Sequence, residues 1–252
     1  MDFLESITLG VIQGFTEFLP ISSSGHLVIA QNFFGIKQPG NEFEILLHMG
    51  TLLSIIFVFY KDIRQIVATL HIKNTQRFIL NVVIGTLPEA VIGIMLKENI
   101  VSLFDNILVV GYALLFTGLI LISSYFFKEK SKKISIGASL LIGCAQAVAI
   151  IPGISRSGMT IALALFLGVE SKQAAKYSFM LAIPVISGAG LLMSTNLNNN
   201  FNLNLSIYIA GLASSFIIGV ISLKWLLGWL ETGKFYYFGI YCFIMGLFTI
   251  VS

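Results

Sequence analysis

The sequence predicts an all-α, polytopic membrane protein with six transmembrane helices and two re-entrant helix-turn-helix pairs, arranged as an inverted-topology repeat. Three observations predict it: the composition, the length of the apolar runs, and a polar hexapeptide that occurs twice in related form. Of 252 residues, 56% are hydrophobic and 11% charged, against roughly 25% charged in a soluble domain. A bilayer core about 30 Å thick takes roughly 20 mostly apolar helical residues. Runs of that kind stand near 43–60, 78–96, 107–127, 177–194, 206–230 and 235–252, which makes six crossings in a single membrane domain, 1–252. Met1-Asp2-Phe3-Leu4-Glu5 has no basic region or small-residue cleavage site, so no removable signal peptide is expected. The net charge of +3 is no nucleic-acid signal, because the basic residues lie in loops. Cys144 and Cys242 have no metal-ligand spacing and read as small apolar packing residues.

The chain repeats itself. A shift of 133 lays residues 10–35 on 143–168, and Gly10, Gln13, Ile21, Ser22, Ser24, Gly25, Phe33 and Gly35 meet identical residues, eight of 26. The matches include polar and glycine positions that apolar composition does not explain, so we read a duplication with repeat one at 1–133 and repeat two at 134–252. In each repeat an apolar run (10–19, 143–151) leads to a proline (Pro20, Pro152), the polar hexapeptide and a second apolar run (26–34, 159–167). Ten helical residues reach about 15 Å, half a bilayer. Each copy therefore predicts a re-entrant pair whose turn lies near the midplane, where irregular backbone must line a cavity or be buried in protein. Three crossings per half invert the second half relative to the first. On that topology Lys61, Arg64, Lys73, Arg77, Lys128, Lys130, Lys132, Lys133, Lys172, Lys176, Lys224 and Lys234 share one side, with Lys37 and Lys97 on the other.

Arg156 falls inside the membrane, where an arginine costs about 2.5–3.5 kcal/mol on insertion scales and requires a partner. Glu17 is one candidate, and a bare Arg156–Glu17 pair would serve packing alone. It would leave the surrounding hydroxyls unexplained. Helices are expected to start at Ser24 to His26 and at Ser157 to Met159, and helix N-termini bind anions. Ser22, Ser23, Ser24, Gly25, Ser155, Ser157, Gly158 and Thr160 beside Arg156 suit a phosphate or diphosphate. Gln13 and Glu17 supply oxygen atoms for a divalent cation such as Mg²⁺, which is held by one or two carboxylates and substrate phosphates. His26 reads as a general acid or base, a nucleophile, or a hydrogen-bonded polar residue. Glu42 and Glu44 begin the first crossing and read as interfacial, although Glu44 can turn inward to the cavity; His48 reads as an interhelical hydrogen bond, and Glu89 serves either packing or the cavity. The Lys128–Lys133 cluster reads as a topology anchor.

"QGFTEFLPISSSGH" (13–26) with "PGISRSGMT" (152–160) closely resembles the undecaprenyl-diphosphatase family of bacteria, known for bacitracin resistance. The resemblance covers essentially the whole chain and its two motifs are highly specific. It implies hydrolysis of undecaprenyl diphosphate to undecaprenyl phosphate, recycling the lipid carrier of cell-wall polymers, with a divalent cation, Mg²⁺ or Ca²⁺. It further implies the bacterial cytoplasmic membrane, with a site that opens outward. By position it gives Glu17, Ser23, His26 and Arg156 catalytic roles, with Ser155 and Thr160 beside the arginine, and Gln13 and Glu17 the acidic motif. Many members carry glutamate where this chain has Gln13, which bears on the cation. Expected partners are undecaprenyl diphosphate and membrane lipids, with no nucleic acid, and a homodimer is left open. A second class of lipid phosphatase requires a histidine after the arginine, and no histidine follows His71. The rival reading is a transporter or flippase of a phosphorylated polyprenyl lipid, since broken helices in inverted repeats also build carriers.

Overall fold

The structure, a computed structural model, describes residues 1–36, 42–96, 103–104, 106–126, 131–195 and 205–251. Among these residues every regular element is helical. Helix α1 (Phe3–Thr16) opens in a capping box: Asp2 accepts from the Glu5 amide at 2.8 Å, and Glu5 accepts from the Asp2 amide at 2.7 Å. It stops ahead of Pro20, and residues 17–20 form a turn into α2 (Ser23–Phe34), which closes on Gly35 at φ 65°. Helices α3 (Glu42–Val58) and α4 (Tyr60–Ala68) meet at a 68° bend. Helix α5 (Lys73–Met95) contains Pro88, and α6 (Ile107–Ser123) ends in a short 3-10 turn. The second set is α7 (Ile136–Val148), α8 (Arg156–Phe166), α9 (Ser171–Thr195), α10 (Leu205–Leu230) and α11 (Tyr236–Val251).

The six apolar runs fall on α3, α5, α6, α9, α10 and α11. Four of them (α5, α6 with its 3-10 turn, α9 and α10) are long and apolar enough to cross a bilayer by themselves, and α3 with α4 makes a fifth across the bend. Helix α11 has 16 residues. The chain is a multi-pass membrane protein. Its outer faces carry exposed Leu87, Val91 and Ile94 on α5 and Leu108, Tyr112 and Leu119 on α6, a surface suited to lipid. Cys144 is exposed on this surface and does not pack inward, while Cys242 is buried.

Lipid tails are as apolar as leucine, so helices here associate through close packing at small residues. Helices α6 and α11 show it reciprocally. A Cβ on Gly118 would lie 2.9 Å from the Gly239 carbonyl, and one on Gly246 would lie 2.8 Å from the Gly111 carbonyl. Helix α1 packs along α10 and α7 along α5, while α6 pairs with α11 and α3 with α9. Shifting by 133 maps α1 on α7 and α5 on α10, so packing partners exchange between the halves as a pseudo-two-fold arrangement requires. The largest apolar cluster, with Phe18, Leu19, Ile21, Tyr177, Phe179 and Leu223, sits under the two turns and holds them rigid.

Candidate active site

The two polar turns pack against each other. A Cβ on Gly25 would meet the Gly153 Cα at 3.0 Å, one on Gly158 would meet Pro20 Cβ at 3.3 Å, and Ser157 Oγ reaches the Leu19 carbonyl at 3.5 Å. Both helices start one residue before the expected ranges, at Ser23 and Arg156. Ser22 caps α2 and accepts from the Gly25 amide at 3.3 Å, and Ser155 caps α8 and accepts from the Gly158 amide at 3.1 Å. A capping hydroxyl must reach the third helical amide, and only these serines stand at that distance. Ser24 and Ser157 therefore lie within the first turns, each 3.3 Å from its cap hydroxyl. Ser22 holds this position at φ 70°, a conformation that costs a non-glycine residue on the order of 1 kcal/mol or more.

Glu17, just past the end of α1 and 6% exposed, is the hub. One carboxylate oxygen pairs with Arg156, the first residue of α8. The other accepts from Ser23 Oγ at 2.6 Å and Gln13 Nε2 at 3.0 Å, and stands 3.5 Å from His48 Nε2. The expected Arg156–Glu17 contact is thus present, and it is not a bare pair. Arg156 Nη1 is buried without a hydrogen-bond partner, so one edge of the guanidinium remains available. It borders a cavity of ≈ 390 Å³, lined also by Glu17, Ser22, Ser23, Ser24 and Ser155. Volumes of roughly 300–1,000 Å³ are typical of small-molecule sites.

Not every expected residue reaches this cavity. Ser157 turns to the Leu19 carbonyl, and Thr160 bonds to Ser178 Oγ at 2.6 Å and to the Arg156 carbonyl at 2.9 Å, bracing the first turn of α8. Gly25 and Gly158 serve the close approach of the turns. His26 stands outside the cavity lining. Its Nδ1 donates to the Ser22 carbonyl at 2.8 Å, which leaves Nε2 to accept from the Tyr241 hydroxyl at 2.8 Å, and the ring stacks on Tyr241. Both nitrogens are occupied, Nδ1 within the start of α2 and Nε2 in holding α2 to α11.

Three residues given lesser weight from sequence do reach it: Glu44, His48 and Glu89. His48 Nδ1 donates to the Glu44 carbonyl at 2.8 Å, and Glu44 accepts from Gln31 at 3.1 Å. Their spacing of four in an otherwise apolar helix was the available signal, since residues four apart share a face. Glu89 directs a buried, unpartnered Oε2 into the same region.

A family model described as bacitracin resistance protein BacA matches residues 6–248. The chain belongs to that family. Among its relatives is an undecaprenyl-diphosphatase of Desulforapulum autotrophicum, 40% identical over 275 residues, with 100% of this chain and 99% of the relative covered. A protein of the same description from Bacteroides thetaiotaomicron is 38% identical over 262 residues, covering 100% and 99%. Another, from Methanosphaera stadtmanae, is 38% identical over 275 residues, covering 100% and 98%. The family match spans α1 through α11, so the site and the scaffold fall within it together.

Proposed function

We propose that this protein hydrolyses undecaprenyl diphosphate to undecaprenyl phosphate and inorganic phosphate, recycling a lipid carrier for cell-wall polymers. The observation that carries the reading is the 2.6 Å hydrogen bond from Ser23 to Glu17 beside the free edge of Arg156. A carrier needs groups that bind phosphate, but not a hydroxyl held by a carboxylate base, which is the arrangement of an activated nucleophile. Arg156 Nη1 and the amides of Ser23, Ser24, Arg156 and Ser157 receive the diphosphate, those of Gly25 and Gly158 being taken by the cap hydroxyls. Ser23 Oγ attacks the terminal phosphorus as Glu17 takes its proton. The bond to the bridging oxygen breaks and undecaprenyl phosphate leaves, taking that proton from Glu17. Water then attacks the phosphoserine, giving a proton to Glu17, and Glu17 returns it to Ser23 Oγ as phosphate departs. Phosphoryl transfer demands mainly positioning and charge stabilisation, which Arg156 and the helix ends supply. His26 positions α2 and takes no part in bond making.

A divalent cation, Mg²⁺ or Ca²⁺, belongs to this reading. Among the described residues no three His, Cys, Asp or Glu side chains form a metal nest, so a cation would rest on one or two protein oxygens and the substrate's phosphates. Both Glu17 oxygens already have donors, whereas Glu89 Oε2 is buried without a partner at the cavity and fits that part; Gln13 Oε1 is also buried without a partner but stands outside the cavity lining. When bound there, the cation neutralises charge on the phosphate oxygens.

We further infer a cytoplasmic-membrane location with the site opening outward. Lys61, Arg64, Lys73, Lys172 and Lys176 gather at the end where α4, α5 and α9 begin, and the cavity lies toward the far ends of α5 and α9, at Gly93 and Ala189. The test is phosphate release from undecaprenyl diphosphate by purified protein, with divalent cation and with chelator. Cation-dependent release of one phosphate per lipid supports the reading. Binding of the lipid without release would move it to a transporter.

A further inference from the structure

A second cavity, of ≈ 680 Å³, lies at the basic end of the molecule, away from the Glu17–Arg156 cluster. Three helices begin around it. Asn74 and Thr75 come from the first turn of α5, Ser135 is the N-cap of α7, and Gln173 comes from the first turn of α9, with Lys176 and Tyr177 one turn further on. Each contributes the positive end of its dipole to one space. Arg77 and Lys133 also line it, and among the described residues neither has a carboxylate partner. The acid in the lining, Asp62, is neutralised by Lys176. The last turn of α4, whose dipole points the other way, has its Gln65 and Ile66 carbonyls capped by Thr69. The net field in the cavity favours an anion.

One side chain narrows the anion further. Asn81 is 4% exposed, lines this cavity, and stands on the Asn74–Arg77–Asn81 face of α5. Its Nδ2 donates to the Ile134 carbonyl at 2.9 Å, which fixes the orientation of the amide, because a carbonyl can only accept. That leaves Oδ1, a buried acceptor without a partner. A buried acceptor without a donor is costly. Cationic donors and helix amides bind the bare oxygens of an anion, but Asn81 Oδ1 needs the anion to bring a proton of its own.

We propose that this cavity is a hydrogen-phosphate site, taking inorganic phosphate or a phosphomonoester headgroup by its P–O⁻ oxygens at Arg77, Lys133 and the helix N-termini, and by its P–OH at Asn81. Sulfate has the same shape, yet at neutral pH it carries no proton to donate, so the site discriminates against it. This is separate from the reaction at Ser23 and holds whether or not that assignment is right.

The experiment is equilibrium binding of radiolabelled orthophosphate to the full-length protein in phosphatidylcholine nanodiscs. It compares wild type, Arg156→Ala, and Arg77→Gln with Lys133→Gln, two exposed positions whose change leaves the packing intact. Binding that persists in Arg156→Ala and weakens at least about tenfold when Arg77→Gln and Lys133→Gln are added is expected, the loss corresponding to a hydrogen bond with a charged partner. Sulfate should compete poorly in Arg156→Ala, and Asn81→Ala in that background should erase the preference. Equal competition by sulfate, or binding unaffected by the Arg77 and Lys133 changes, overturns the proposal. Repeating the assay with phosphatidic acid in the discs separates the sources: displacement of orthophosphate supports a lipid headgroup as occupant, and its absence supports the free ion.

Discussion

The turn of the first repeat and the turn of the second share a scaffold and divide the chemistry. Both begin with a capping serine, Ser22 or Ser155, and both place a second hydroxyl 3.3 Å from the cap. Both follow a helix that buries a glutamine, Gln13 or Gln146. At three of the positions that differ, repeat one has Glu17, Ser23 and His26 where repeat two has Ile150, Arg156 and Met159. The carboxylate and the hydroxyl bonded to it lie on one turn, and the arginine on the other; in the proposed reaction these are the base, the nucleophile and the phosphate-binding cation. Backbone conformation diverges as well, with Ser22 at φ 70° and Ser155 at φ −76°. The two matched turns supply two helix N-termini, and the proposed chemistry rests on three positions at which they differ. Neither turn is a site alone.

If that division of labour is right, substitutions rank by which side of it they remove. Ser23→Ala takes away the attacking oxygen and should lower turnover by about 10³-fold or more, by analogy with other nucleophile losses. Glu17→Gln should be similarly severe, because it removes both the base and the partner of Arg156. On the opposite turn, Arg156→Lys keeps the charge but loses the planar fork, and should cost roughly 10²-fold in kcat with the fold retained, the scale of one lost transition-state donor. Steady-state kinetics together with a thermal melt separate these effects from unfolding.

Smaller effects test how the turns are held together. Gly25→Ala would press a methyl on the backbone of Gly153, and such overpacking costs about 1–3 kcal/mol. Turnover and melting temperature should fall together. Least affected should be His26→Ala, because its nitrogens serve Ser22 and Tyr241. We expect less than about a tenfold loss of kcat, with destabilisation on the order of 1 kcal/mol from the lost hydrogen bonds. A loss as large as that of Ser23→Ala would break the comparison.

The polar turns were legible because serine, glycine and arginine stand out within apolar sequence, and because the repeat doubled the signal. Glu17 and Arg156 were legible as a pair because a membrane arginine requires a counter-charge. The orientation of His26 was not legible. Whether it faces the cavity or Tyr241 depends on where α11 packs, and the hexapeptide says nothing of α11. His48 and Glu44 were undervalued for the same reason, since only the packing of α3 against α10 and α9 decides which of its faces turns inward. The conformation of Ser22 was not legible, because a serine at φ 70° runs against local preference and is imposed by the tertiary fit of the turn, whereas Ser155 caps at an ordinary φ of −76°.

The most direct measurement is to trap the phosphoenzyme formed from radiolabelled undecaprenyl diphosphate by rapid quenching and to map the labelled residue. Label on Ser23, lost in Ser23→Ala and retained in His26→Ala, is the predicted result. Label on His26, or a Ser23→Ala protein that turns over at nearly the original rate, would contradict the account.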